Sequence, residues 1–405
     1  MMRPVTNSLR LRLNRWRILV IAVVVAASCT WCASGLRKNS IPVDDFVEYW
    51  AAGKLFLSGQ NPYSPQQIWN LERIAGFTGT GPLPMFNPPW TIPLIVPFSV
   101  FPYAEGRLIW MLVSLVLVVV SCDACWKLYG GDPEQRWFGW ILGITFLPSL
   151  FVLSIGQIGP LIVAGITAFL VFVTRGKFVA AGVALLLVAA KPHLVFLLWP
   201  ALLLWTLAHR NLRILLGFGI ATFGMIIPIM IINPEIWESY STLLREWPPD
   251  QLWITTTIPA LIRQLLGSRP SRPWLEASPL VAAFIWLIVY WRRHHKDWEW
   301  KARLPMLMFV SLAATPYGRV YDQIILLPLV IQVSASRSRQ PKPSHPVALG
   351  YFAATILLML MDIGSFSALI QLWTIPAWYA LYQMSSSSSH STGSSPGEPA
   401  YSHGS

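Results

Sequence analysis

Apolar runs long enough, or nearly long enough, to cross a bilayer alternate with short polar breaks along almost the whole chain. The first, ILVIAVVVAASCTWCASGL over 18–36, is followed by others down to the C-terminus, so it reads as a span rather than a removable leader. Further runs lie at 106–128, 137–155, 159–174, 178–190, 194–208, 214–232, 279–291, 304–316, 322–335, 346–362 and 365–382. Together they predict about 12 spans (11–13) and an all-α, polytopic transmembrane fold.

The polar breaks set the topology. Basic clusters at RLRLNRWR (10–17), RGK (175–177), HRNLR (209–213), RRHHK (292–296) and SRSRQPKPSH (336–345) all belong on the cytoplasmic side by the positive-inside rule. Both termini are then cytoplasmic, and two long loops, about 37–105 and 233–278, face outward. That parity requires PPWTIPLIVPFSVFP (88–102), with its five prolines, to dip into the membrane or lie at its surface rather than cross. In the first outer loop, DDFVEYWAAGKLFLSG (44–59) has helical spacing and is expected to lie at the outer interface. A second short helix is expected over QQIWNLERI, after the turn NPYSP (61–65). The organisation is a basic N-terminus (1–17), one membrane domain (18–383) and a Ser-rich tail (384–405) expected to be disordered.

Composition agrees with a multi-pass membrane protein, since of 405 residues 54% are hydrophobic and 12% charged, and the expected location is the cell (plasma or inner) membrane. The net charge of +12 does not point to nucleic acid, because the basic residues sit in short inter-span clusters rather than on one soluble face. Cys29, Cys32, Cys122 and Cys125 form two C-x-x-C pairs inside apolar spans and read as packing residues. No evident ligand set exists for a metal, and neither metal nor cofactor is expected.

With this topology, the unusual polar residues gather at outward span ends. Asp44, Asp45 and Glu48 follow the first span; Gln157 joins the third and fourth; Lys191 and His193 join the fifth and sixth; Tyr317, Arg319, Tyr321 and Asp322 join the ninth and tenth. Each has a plainer use. Asp44 suits an N-cap, Lys191 can snorkel, Gln157 can satisfy turn backbone, and Asp322 can pair with Arg319. Their convergence on one face favours a polar cavity, since intramembrane charge is costly unless paired or functional.

The fragments DFVEYWAAGKLFLSGQNPYSP, FNPPWTIPLIVPFSVFP, GQIGPLIVAGITAFLVFVTRGKFVAAGVALLLVAAKPHLVFLLWP and PYGRVYDQIILLPL, in that order over about 40–335, resemble glycosyltransferase family 87 of the C-type superfamily of integral-membrane transferases. The resemblance implies transfer of a sugar, mannose- or arabinose-type, from a polyprenyl-phosphate donor to a glycolipid or glycan acceptor, with inversion, on the extracytoplasmic face. It implies a catalytic Asp in the DF..YW motif, here Asp45, and matches the family's Lys-Pro and Tyr-x-Asp-type motifs to Lys191-Pro192 and Tyr321-Asp322. The chain departs from the family's aromatic-Pro-Pro motif at FNPPW, where Asn87 precedes Pro88.

Inverting transfer needs one base for the acceptor hydroxyl and a cationic or hydrogen-bonding pocket for the departing phosphate. Asp45 is the expected base. Glu48 binds sugar hydroxyls or tunes Asp45 through like charge; Lys191, His193 and Arg319 are the phosphate candidates; Tyr49, Trp50 and Trp90 are candidates to stack on sugar rings. Gln157, Tyr321 and Asp322 complete the expected substrate-binding set. The partners are the lipid-linked donor, the acceptor and membrane lipids. A transporter or lipid flippase is the rival reading, and it would favour internal repeats and midplane charge.

Overall fold

Proline and glycine decide where the helices of this chain stop. The computed structural model describes residues 43–247, 257–265 and 273–338, with five positions between 375 and 383. The expected spans at 18–36, 346–362 and most of 365–382, and the Ser-rich tail, lie outside the described residues.

All regular elements described are helical. In order they are α1 Phe46–Leu57, α2 Pro65–Ala75, α3 Ile92–Ser99, α4 Tyr103–Leu128, α5 Arg136–Thr145, α6 Leu147–Ile155, α7 Gly159–Thr174 and α8 Phe178–Val188. They continue with α9 Leu198–Ala208, α10 Arg213–Ile232, α11 Ile236–Glu246, α12 Ile258–Leu265, α13 Pro273–His294, α14 Trp300–Ala314 and α15 Leu327–Arg337. Short 3-10 turns at Pro192–Val195 and Val320–Leu326 introduce α9 and α15.

By length and composition, α4 and α10 are able to cross a membrane; α5 and α6 make a third crossing if they count as one span. That pair, expected as one run over 137–155, bends by 57°. Phe146 is extended (ψ 120°), and Pro148 has no N–H to continue the ladder. The helices α7, α8 and α9 are apolar but run for 16, 11 and 11 residues. At 1.5 Å per residue they reach about 16–24 Å, short of a hydrocarbon core of about 30 Å. The run expected at 322–335 likewise divides, and only its second part, α15, is α-helical. Among the described residues several expected spans are therefore not full-length crossings but short helices whose polar turns sit inside the protein. The segment 88–102 holds only the eight-residue α3, too short to cross, after a turn at Pro89–Thr91.

Glycines let the apolar helices approach one another. A Cβ at Gly182 of α8 would lie 2.0 Å from Ile214 O, and one at Gly217 of α10 would lie 2.0 Å from Val179 O, so backbone packs on backbone. The opposite side of α10 exposes Leu216, Ile220, Phe223, Ile227 and Ile231, an apolar stripe at helical spacing suited to lipid.

The helix α1 differs from the interfacial helix its periodicity predicts, because it is buried on nearly every side. Phe46 packs on Trp110 of α4, Trp50 on Tyr103, and Gly53 leaves room for Ser99 of α3. Apart from Glu48 and Lys54, which are only partly buried, its residues are apolar or small all round. The second expected helix is α2, begun by Ser64, whose Oγ accepts the Gln67 N–H at 3.4 Å, and ended by Gly76 in the left-handed region.

Candidate functional site

The polar turns come together around Gln157. It follows Gly156, whose φ of 75° ends α6 as few other residues would allow, and it precedes Pro160 in the first turn of α7. Its Nε2 donates to Asp45 Oδ2 at 2.9 Å and to Glu48 Oε1 at 3.3 Å. Its Oε1 accepts from Tyr49 OH at 2.8 Å and from Lys191 Nζ at 2.9 Å. Donors on one side and acceptors on the other fix the orientation of the amide.

The Lys191 ammonium continues the chain to Asp322 Oδ1 at 3.0 Å and stands 5.3 Å from the centre of the Tyr321 ring. Asp322 Oδ2 in turn accepts the Arg319 N–H at 2.9 Å, which closes the 3-10 turn before α15. Asp322 thus pairs with Lys191, whereas the Arg319 guanidinium donates through Nε to Tyr317 OH at 3.1 Å. The result is one hydrogen-bonded line from Asp45 through Gln157 and Lys191 to Asp322.

Backbone at Lys191 is held from outside its own helix. Pro192 stops α8, and the carbonyls left open at that end are met by Asn87 Nδ2, 2.8 Å from Ala190 O, and by Trp90 Nε1, 3.0 Å from Ala189 O. Tyr63 OH donates to Asn87 O at 2.9 Å and fixes that segment from α2's side. The Asn-Pro-Pro stretch therefore serves as the clamp on the lysine turn. Trp90, a candidate sugar platform from its sequence, instead has its indole N–H committed to this clamp.

Asp45 and Glu48 stand one turn apart at the start of α1. Burial, with Asp45 beside it, pushes the Glu48 carboxyl up to about 8, so near neutral pH it holds its proton. Across the line, burial lowers His193 to about 4, and its Nε2 is buried with no hydrogen-bond partner. His193 is therefore a neutral ring at neutral pH and supplies a ring nitrogen, not the cation its place beside Lys191 predicts. Tyr49 is fully buried under Trp110, so it reaches any substrate only through Gln157.

Asp44 does more than cap α1. The helix N-cap position belongs to Asp45, whose side chain makes no cap bond. Asp44 Oδ1 accepts the Phe46 N–H at 3.1 Å, while its Oδ2 meets Arg107 Nε at 2.8 Å. Arg107 is 3% exposed and also donates to Leu153 O and Ser154 O at 2.8 Å, tying α1, α4 and the end of α6 together. An arginine at the start of an apolar span was the signal in the sequence for this anchor. Glu72 gave no such signal: it is buried in α2, accepts the Leu83 N–H at 3.0 Å, and is raised by burial to about 7.

Cys122 and Cys125 are free, buried thiols, with Cys125 Sγ 3.4 Å from Thr167 Oγ1, in keeping with packing; the other pair lies outside the described residues.

Such a line joins a carboxylate that can take a proton to a cation that can hold an anion, within buried surroundings and beside two further groups kept neutral. It suits displacement of an anionic leaving group by a hydroxyl. No curated protein and no solved structure matches the chain. Residues 86–316 match glycosyltransferase family 87. The matched stretch contains Gln157, Lys191 and His193; Asp45, Glu48 and Tyr49 precede it, and Arg319, Tyr321 and Asp322 follow it. It spans more than half of the 405 residues, and with the apolar helices around the site it identifies the chain as a membrane glycosyltransferase belonging to glycosyltransferase family 87.

Proposed function

We propose that the protein transfers a mannose- or arabinose-type sugar from a polyprenyl-phosphate donor to a glycolipid or glycan acceptor, with inversion, on the extracytoplasmic face of the cell membrane. The observation that supports this reading is the line Asp45–Gln157–Lys191–Asp322, which links four turns far apart in sequence.

In a single displacement, Asp45 takes the proton of the acceptor hydroxyl as its oxygen bonds to the anomeric carbon. The carbon–oxygen bond to the phosphate breaks, and the electron pair leaves on the phosphate. Gln157 orients Asp45 through its amide. Glu48, protonated, offers its hydroxyl to the sugar without adding charge beside the base. Lys191 has its charge matched by Asp322, so Arg319, half-buried and bonded through Nε alone, carries the larger share of phosphate binding. His193 adds a neutral hydrogen bond from its unpartnered Nε2.

The test is incubation of purified protein with several radiolabelled polyprenyl-phosphate sugars and membrane lipid extract. A new labelled glycolipid of inverted linkage, formed by wild type and not by Asp45→Asn, is the expected product. Transfer from a nucleotide sugar alone, or undiminished transfer by Asp45→Asn, overturns the reading.

A further inference from the structure

An open cavity of about 540 Å³ lies between the turn Asn61–Pro65 and α11. Its volume falls within the range of about 300–1,000 Å³ typical of small-molecule sites. We infer that this groove binds the acceptor as a neutral glycan chain, an inference that rests on the transferase reading above and names the half of the reaction it serves.

The lining has the chemistry of carbohydrate recognition. Trp247 presents a ring whose apolar body suits the flat face of a sugar, and Tyr63, buried at 1% exposure, backs the wall behind it. Both rings are fixed in advance: Tyr63 packs on Tyr240 at 5.1 Å, and Trp247 meets Phe86 edge to face at 5.5 Å. Around them stand the carboxylates of Glu235, Glu238 and Glu246 and the hydroxyls of Ser239 and Thr242, acceptors and donors spaced along one helix. Among the described residues no three His, Cys, Asp or Glu side chains converge to hold a metal ion, so these acids remain available to hydroxyl groups.

Charge separates the two substrates. Among the described residues no Lys, Arg or His lines the groove, and three carboxylates there oppose a phosphate. The phosphate-bearing donor belongs with Lys191 and Arg319, and the groove is left to the uncharged partner. The two places are joined: Tyr63, in the groove wall, bonds Asn87 O, and Asn87 bonds Ala190 O, the residue before Lys191. A glycan in the groove therefore rests against the same segment that clamps the lysine turn.

The inference is tested by fluorine NMR on the full chain in lipid nanodiscs, labelled with fluorotryptophan and with the Trp247 resonance assigned through Trp247→Phe. Mannotriose, arabinotriose and maltotriose serve as neutral probes and trigalacturonate as the anionic one. At least one neutral trisaccharide is expected to move the Trp247 resonance while trigalacturonate does not, and Glu238→Gln is expected to weaken that binding about tenfold, about 1.4 kcal/mol. In turnover, Glu238→Gln raises the acceptor KM about tenfold and leaves the donor KM and acceptor-free donor hydrolysis unchanged. If no neutral trisaccharide moves Trp247, if trigalacturonate moves it equally, or if Glu238→Gln alters the donor KM instead, the groove is not the acceptor site. The binding readout needs no turnover, so loss of the transferase reading and loss of the groove are told apart.

Discussion

Lys191 Nζ lies 3.0 Å from Asp322 Oδ1 across 131 residues of sequence, with both side chains buried. Removing one member of such a pair leaves an uncompensated buried charge, at a cost of about 3–5 kcal/mol. Lys191→Met is thus expected to lower Tm substantially as well as to stop transfer, where a snorkelling lysine at a span end predicts almost no loss of stability. The double variant Lys191→Met, Asp322→Leu is expected to regain most of the stability and none of the activity. A Lys191→Met protein that melts like wild type shows that the pair is not formed.

Asp45→Asn and Asp44→Asn are expected to fail in opposite ways. Asn at 45 keeps the hydrogen-bonding capacity but accepts no proton, so transfer is lost while Tm and donor binding stay near wild type. Asn at 44 removes the counter-charge of Arg107, buried at 3% exposure, so stability falls by about 3–5 kcal/mol. Thermal melts and turnover measured on both variants decide the matter; a stable, inactive Asp44→Asn beside an active Asp45→Asn assigns the base to the other carboxylate.

A raised Glu48 gives a pH dependence with a definite sign. Its folded pKa of about 8 exceeds the ordinary glutamate value of 4.5, so the native state binds the extra proton. The associated stability is full below about pH 4.5 and is lost as pH rises toward 8. Glu72, raised to about 7, acts in the same direction. Glu48→Gln is therefore expected to flatten, without abolishing, the fall in Tm between these limits. The same variant should remove an alkaline decline in kcat/KM near pH 8, where ionised Glu48 adds charge next to Asp45. An alkaline limb unchanged in Glu48→Gln assigns it to another group.

Gln157 is the only residue bonded to both Asp45 and Lys191 in the described structure. Gln157→Glu replaces its NH2 donor with an acceptor facing two acids, and kcat is expected to fall about 100-fold, the low end of what misplaced acid–base groups cost. A Gln157→Glu enzyme within a few-fold of wild type, measured at saturating donor, shows that the amide does not orient the base.

The groove requires the turn at 61–65 and helix α11 to share one side of the membrane. Cysteines placed at Ser64 and Thr242 are expected to react with an impermeant maleimide in intact cells, and one placed at Arg175 only after permeabilisation. Labelling of Arg175→Cys from outside inverts the topology and moves the site to the cytoplasmic face.

How much of this was legible beforehand follows from the range of each signal. The apolar run over 159–174 is one helix within its expected limits, because helical periodicity is local. The meeting of Asp45, Gln157, Lys191 and Asp322 was legible too, since charge parity along the chain predicts their turns at one end. What stayed hidden depends on partners remote in sequence. The residue periodicity of α1 says nothing of α3 closing over Gly53, and a run of apolar residues through 137–155 does not reveal how far Pro148 will bend it. Nor does its place in the sequence reveal that Glu48 keeps its proton; that took its burial.

Gly156 shows what such spacing entails. A Cβ there would stand 2.6 Å from Phe46 Cβ and 3.1 Å from Arg107 Nε, so any larger residue must push the start of α1 away. Phe46 adjoins Asp45 in the chain, and Gly156 adjoins Gln157. The gap between the Asp45 carboxyl and the Gln157 amide is therefore set by the missing side chain between them. Enlarging this position leaves every functional group in place chemically and puts the reacting centre out of alignment, so its signature is slow turnover on a substrate that still binds.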